Sequence, residues 1–175
     1  FIIFYLLFSL LSKVSLCKEN LIAEFLDNQI DIDVGFTGDK LTYFGALNKP
    51  GNIVIIVTGP RKKIKVFKKE KKTLFWINSK SRLFSDVPTY YFTASSKPLS
   101  LIKNDAFLRI NQIGLDNLRF EGAEEIMDNK RREWRNGIIE TMKKNGNYNS
   151  SNGKIEIIDE YLFKTEITFP SDISD

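Results

Sequence analysis

Two aspartates, Asp31 and Asp33, stand one residue apart in the run LIAEFLDNQIDIDVGF, where Ile30, Ile32 and Val34 alternate with Gln29, Asp31 and Asp33. That alternation is the period of a half-buried strand, so both carboxylates project from one face. A carboxylate pair could serve acid–base hydrolysis or hold a metal. The same pattern also describes the solvent face of a strand, and no third ligand follows at a suitable spacing. Glu124 and Glu125 form a second pair. Neighbours on a helix point about 100 degrees apart, which is a poor geometry for shared chemistry.

The chain of 175 residues contains no histidine and one cysteine, Cys17. A Ser-His-Asp triad, a Cys-His pair and an imidazole-ligated zinc are therefore excluded. A lone cysteine at the end of an apolar leader removes structural disulfides and thiolate clusters as well. Carboxylates, lysines, tyrosines and hydroxyls remain, enough for a carboxylate-based hydrolase and little else. The residues thus predict a protein that is not an enzyme, with no cofactor and no metal site.

Two stretches imitate catalytic motifs. In GFTGDKLTYFGAL, Gly35 and Gly38 enclose two residues and Asp39 precedes Lys40. A phosphate-binding loop needs four residues between its glycines, then lysine and a hydroxyl residue directly, at a strand-to-helix junction. Strand formers and the turn Asn48-Lys49-Pro50-Gly51 follow instead, so the glycines read as a connection between strands. Ser151-Asn152-Gly153-Lys154 has the Ser-x-x-Lys spacing of penicillin-binding enzymes, but a strand follows where that chemistry requires a helix. Asn149-Ser150-Ser151 is formally a glycosylation triplet.

The elements that would position any site come next. FIIFYLLFSLLSKVSLC, residues 1–17, has the apolar and cleavage regions of a secretory signal peptide, with Ser15 and Cys17 at the minus-three and minus-one places for a cut before Lys18. An uncleaved anchor helix and a lipoprotein are the alternatives, and a start upstream of Phe1 is expected. With 42% hydrophobic residues, 18–175 suits one extracytoplasmic domain. NIVIIVTGP, with its unbroken β-branched core, reads as a strand buried on both faces.

RKKIKVFKKEKKTLFWIN then reads as a hairpin with a basic outer face, its second strand at Thr73 to Ile77. Arg61, Lys62, Lys63, Lys65, Lys68, Lys69, Lys71 and Lys72 are the candidate contacts for an anionic lipid or other polyanion. A solvated edge whose lysines block aggregation is the alternative. Phe75 and Trp76 read as core and rim. The formal net charge of +4 is too small an excess for a dedicated nucleic-acid binder, so no nucleic-acid partner is expected.

Val87 to Ser96 forms another strand, and residues 99–144 form a helical segment. Leu101, Ile102, Ala106, Phe107, Ile110 and Ile113 recur at helical spacing toward a glycine cap at Gly114. A second helix from about Ala123 to Lys144 places Met127, Trp134, Ile138 and Met142 on one stripe, with Lys130, Arg131, Arg132 and Arg135 opposite. A polar loop, 146–153, leads to a returning strand near Ile155 to Phe169. The expected fold is mainly β (α+β), an Ig-like β-sandwich with a helical insertion.

The ordered set Gly35-Phe36-Thr37-Gly38, Phe44-Gly45-Ala46, Thr58-Gly59-Pro60, Lys69-Glu70, Trp76-Ile77-Asn78, Val87-Pro88, Tyr91, Ala94 to Leu99, Ile113-Gly114-Leu115 and Leu162-Phe163 resembles the alphaproteobacterial transmembrane protein family, from about Leu21 to Pro170. The resemblance implies a signal peptide, an extracytoplasmic domain and a single C-terminal transmembrane helix, which this chain would lack by truncation. It carries no catalytic or binding residues. It implies a domain on the periplasmic side of the bacterial inner membrane, and it favours an accessory or binding role beside an integral membrane protein such as a transporter. The alternatives are a polyanion or anionic-lipid binder acting through the hairpin and a carboxylate-based hydrolase.

Overall fold

A computed structural model describes residues 21–27, 29–30, 37–72, 74–102, 104–122 and 128–171. The leader 1–17, Asp31, Asp33, Gly35, Glu124, Glu125 and Met127 lie outside the described residues, as does most of the strand expected at Ile30 to Val34. The strands are β1 (Leu21–Phe25), β2 (Asp39–Leu47), β3 (Val54–Thr58), β4 (Arg61–Lys72), β5 (Phe75–Pro88), β6 (Tyr91–Ser95), β7 (Gly153–Lys154), β8 (Glu156–Ile158) and β9 (Leu162–Phe169). The helices are α1 (Leu99–Ile102), α2 (Asp105–Ile110) and α3 (Asp128–Lys144), with a 3-10 turn at Leu115–Asn117.

Strict alternation along β9 buries Phe163, Thr165 and Ile167 and exposes Lys164, Glu166 and Thr168. A period of two puts the buried set on one face, and pairing extends that face across the antiparallel sheet β1-β2-β9-β8. Ala23, Gly45 and Phe163 stand opposite one another in its register. The second sheet has the order β3-β6-β7, its last pair parallel. Ile53, Phe92 and Ala94 from this side meet Phe163 and Ile167 from the other in one apolar core. Tyr90 fastens the two layers: its hydroxyl donates to the Thr168 carbonyl at 2.7 Å and its ring stacks on Phe169 at 5.2 Å. The mainly β sandwich with a helical insertion is therefore the architecture observed.

A second core lies behind β6. There α3 lays Trp134, Ile138 and Ile139 against Phe84 and Val87 of β5, Tyr91, Leu118, Phe120 and Tyr148, with Ile64 and Val66 of β4 at its margin. Both cores share β6, in which every residue is buried. The doubly buried strand is thus YFTAS and not NIVIIVT. Among the described residues β3 pairs only with β6 and is half-buried, because its run of β-branched residues sits at an edge.

The polar residues of β6 explain how its second face can be buried. Asn149 accepts from the Thr93 N–H at 3.2 Å and donates to the Thr93 carbonyl at 2.9 Å, standing in for a neighbouring strand. Tyr91 N–H and C=O pair with Asn147 and Asn149, so the expected polar loop begins as strand-like backbone beside β6. Its amide nitrogen is committed to these contacts, which disfavours the glycosylation triplet. Asn149→Ala leaves a buried N–H and C=O without partners and should cost about 2–4 kcal/mol in denaturant unfolding. A loss under about 0.5 kcal/mol would contradict this role.

Other boundaries moved for identifiable reasons. The helix expected over 99–114 breaks in two, because the Asn104 side chain accepts from the Phe107 N–H at 2.9 Å and caps a new start. The helical phase resets there. Leu108 and Ile113 turn inward, while Leu101 (71% exposed) and Ile110 (72%) face outward. Gly114 does not cap α2: with φ 85° it opens the 3-10 turn, and its N–H donates to the Tyr91 hydroxyl. Arg135, placed by its stripe on the solvent face, is half-buried and donates to the carbonyls of Leu118 and Leu115, tying the turn to α3. The returning strand is a hairpin, β8 and β9, reversed at Asp159 and Glu160 with φ of 48° and 63°.

Three buried tyrosines give the fold an alkaline limit. Burial pushes the phenols of Tyr90, Tyr91 and Tyr148 above their ordinary range. Below about pH 10 the phenol is neutral in both folded and unfolded chains, so stability should be level with respect to these groups. Above that, the unfolded chain releases protons that the folded chain holds, and stability falls. The thermal midpoint should drop above about pH 10, and less steeply in Tyr148→Phe. Identical profiles for the variant and the parent chain would contradict the assignment.

Candidate functional site

The hairpin β4–β5 carries ten basic and two acidic residues between Arg61 and Pro88. Its second strand, expected to end near Ile77, continues to Pro88 because Phe84 and Val87 are drawn into the core beneath α3. Ile64 and Val66 face the helix, so the alternate positions Lys65, Phe67, Lys69 and Lys71 stand on the opposite face.

The eight candidate cations divide by what they touch. Arg61 is held by Asp86 at 2.7 Å and also donates to its carbonyl at 2.9 Å, which fixes the base of the hairpin. Lys68 reaches Glu133 on α3 at 2.7 Å, and that hydrogen bond holds its ammonium above the usual lysine range. Both therefore have structural work. Lys62, Lys63, Lys65, Lys69 and Lys71 are exposed. Lys72 pairs with Phe75 through the backbone, and its side chain lies outside the described residues.

Apolar residues interrupt this basic surface. Phe67 is half-exposed with the Lys65 ammonium 5.4 Å from its ring centroid, and Leu83 stands opposite Lys65 in the register. At the tip Leu74 is 80% and Phe75 74% exposed, so Phe75 is not a core or rim residue as its type suggested. The missed signal was available in the sequence: Leu-Phe-Trp-Ile follows KKEKKT directly at the turn, where loops are normally polar.

A second surface opens at the edge of the sandwich. The outer strands β1 and β3 leave between them a groove of about 360 Å³, lined by Leu21, Phe25, Tyr43, Ile55, Val57 and Phe163 among others. Two polar depressions are less promising. One, of about 510 Å³, lies over the exposed Lys164–Glu156 ion pair. The other, of about 230 Å³, is walled by Asn149, whose amide already serves the backbone. Among the described residues, no group of three or more His, Cys, Asp or Glu could hold a metal. Gly38 has φ 102° immediately before β2, as expected of a turn between strands.

Among the described residues no helix is long and apolar enough to cross a membrane. No curated protein and no solved structure matches the chain. A family model described as "Putative transmembrane protein (Alph_Pro_TM)" matches residues 20–175, nearly the whole length. The chain belongs to this alphaproteobacterial transmembrane protein family.

Proposed function

We propose that this chain is the periplasmic binding domain of a membrane-anchored accessory protein, docking on an integral membrane protein, with a transporter as the favoured partner class. The observation that supports this reading is the sandwich edge at β3, which no strand among the described residues covers. Exposed strand edges are normally blunted by lysine, proline or a bulge. Val54–Thr58 carries none of these, and the groove beside it is apolar. An unguarded edge above an apolar floor suits an added strand, whose backbone supplies hydrogen bonds while its side chains fill the groove. Family membership supports the membrane context.

The test is affinity purification of the natural full-length protein, at native level, from gently solubilised membranes. A polytopic membrane protein should be recovered in near-equal amount and lost from Leu21→Glu, which places a charge at the half-exposed rim of the groove. An unchanged thermal midpoint in that variant separates lost binding from lost folding. Recovery of the protein alone, or a partner retained by Leu21→Glu, would overturn the reading.

A further inference from the structure

We infer that the tip of the β4–β5 hairpin inserts into the surface of an anionic lipid bilayer, with Leu74 and Phe75 entering the acyl boundary and the lysines above them meeting lipid phosphates. The inference goes beyond the accessory reading and does not depend on it.

Three observations carry it together. First, among the described residues α3 meets the outer part of β4 at Lys68 and Lys69, where Glu133 pairs with Lys68. Three residues of each strand, 70–72 and 75–77, lie between that point and the turn, a length of roughly 10 Å at the usual rise of a strand. Second, the projecting end is apolar at its extremity: Leu74 and Phe75 are among the most exposed large hydrophobic residues described. Third, exposed Lys69 and Lys71 lie immediately behind the tip, followed by Lys65, Lys63 and Lys62. The order along the axis is therefore apolar end, then cations.

That order matches the layers of an anionic membrane surface, in which hydrocarbon lies beneath phosphate. A soluble polyanion would satisfy the lysines but would leave Leu74 and Phe75 in water. A solvated edge would explain the lysines as guards against aggregation, but it would not place two large apolar side chains, 80% and 74% exposed, at the turn. Cation charge complementarity and the apolar tip thus agree on one occupant, a bilayer carrying phosphate headgroups.

Trp76, the residue after Phe75 in the chain, supplies the probe; the other tryptophan, Trp134, is buried on the core-facing side of α3. The full chain is mixed with vesicles of phosphatidylcholine and phosphatidylglycerol whose acyl chains are brominated, and tryptophan quenching is read. Residues 1–17 contain no tryptophan, so attachment by that segment alone gives no quenching. Insertion predicts partial quenching with anionic vesicles, weakened by added salt and absent in Trp76→Phe. Leu74→Ser with Phe75→Ser should weaken it at least about tenfold, as expected for two exposed apolar side chains losing a buried destination. Lys69→Glu with Lys71→Glu should abolish the preference for anionic lipid. Both tip and lysine positions are exposed, so the folded state survives the changes, and the thermal midpoint checks this. Three results would overturn the inference: no quenching, quenching unchanged by the tip variant, or binding to a soluble polyanion that the tip variant leaves intact while vesicles give no signal.

Discussion

Phe84→Ala should destabilise the domain by about 3–5 kcal/mol, the range for removing a large aromatic side chain from a close-packed site. Phe84 has no exposed surface, stands opposite Ile64 in the hairpin register and lies 6.2 Å from the Trp134 ring. Its ring therefore joins the hairpin to α3, and the gap cannot be filled without moving one of them. Phe75 belongs to the same strand and is mostly exposed. Its replacement by alanine should change stability by less than about 0.5 kcal/mol. Urea unfolding of the two variants side by side checks the contrast. Equal losses would mean that the hairpin is not held where the structure places it.

Gly45→Val should detach β1 from the sheet. A side chain at this position would begin 2.4 Å from the Ile22 carbonyl oxygen and 2.7 Å from the Phe163 ring. The carbonyl is backbone within a paired edge strand and cannot swing aside as a flexible side chain could. The expected cost is about 3 kcal/mol, at the upper end of ordinary overpacking. Hydrogen exchange should accelerate at the β1 amides before it does so in β6. Because β1 forms one wall of the apolar groove, the variant should also lose the proposed partner. Native exchange rates in β1 would show that the close approach at Gly45 is relieved at little cost.

Much of this architecture was legible from residue periodicity. The stripe Trp134, Ile138 and Met142 does face a core, and the strand expected to return near Ile155 to Phe169 is found there as β8 and β9. What escaped was which strand lies in the middle. β3 looked central because its residues are β-branched, whereas β6 carries Thr93 and Ser95 and looked less apolar. Burial of β6 depends on partners far along the chain, among them the Asn149 side chain, which serves the Thr93 backbone from 56 positions away. No local pattern encodes that contact. The inverted face of the first helical segment had a local cause, the Asn104 cap, which divides one apparent period into two phases.

The basic cluster was equally legible as a composition and less so as a site. Counting charges between Arg61 and Lys72 identifies eight cations, but only tertiary structure shows that Arg61 and Lys68 are engaged by Asp86 and Glu133. The carboxylate pairs offered as hydrolytic groups, Asp31 with Asp33 and Glu124 with Glu125, fall outside the described residues. The site reading consequently rests on surfaces: an unguarded strand edge and a hairpin whose apolar tip leads its lysines.

The central claim, that the edge between β1 and β3 receives an integral membrane protein, is tested most directly by a photo-crosslinking residue placed at Val57 in the natural full-length protein in its own membrane. Glu166, exposed on the outer face of the β9 sheet, serves as the control position. A single discrete adduct with a polytopic membrane protein at Val57, absent at Glu166, is the result the account predicts. No adduct at Val57, or the same adducts at both positions, would contradict it.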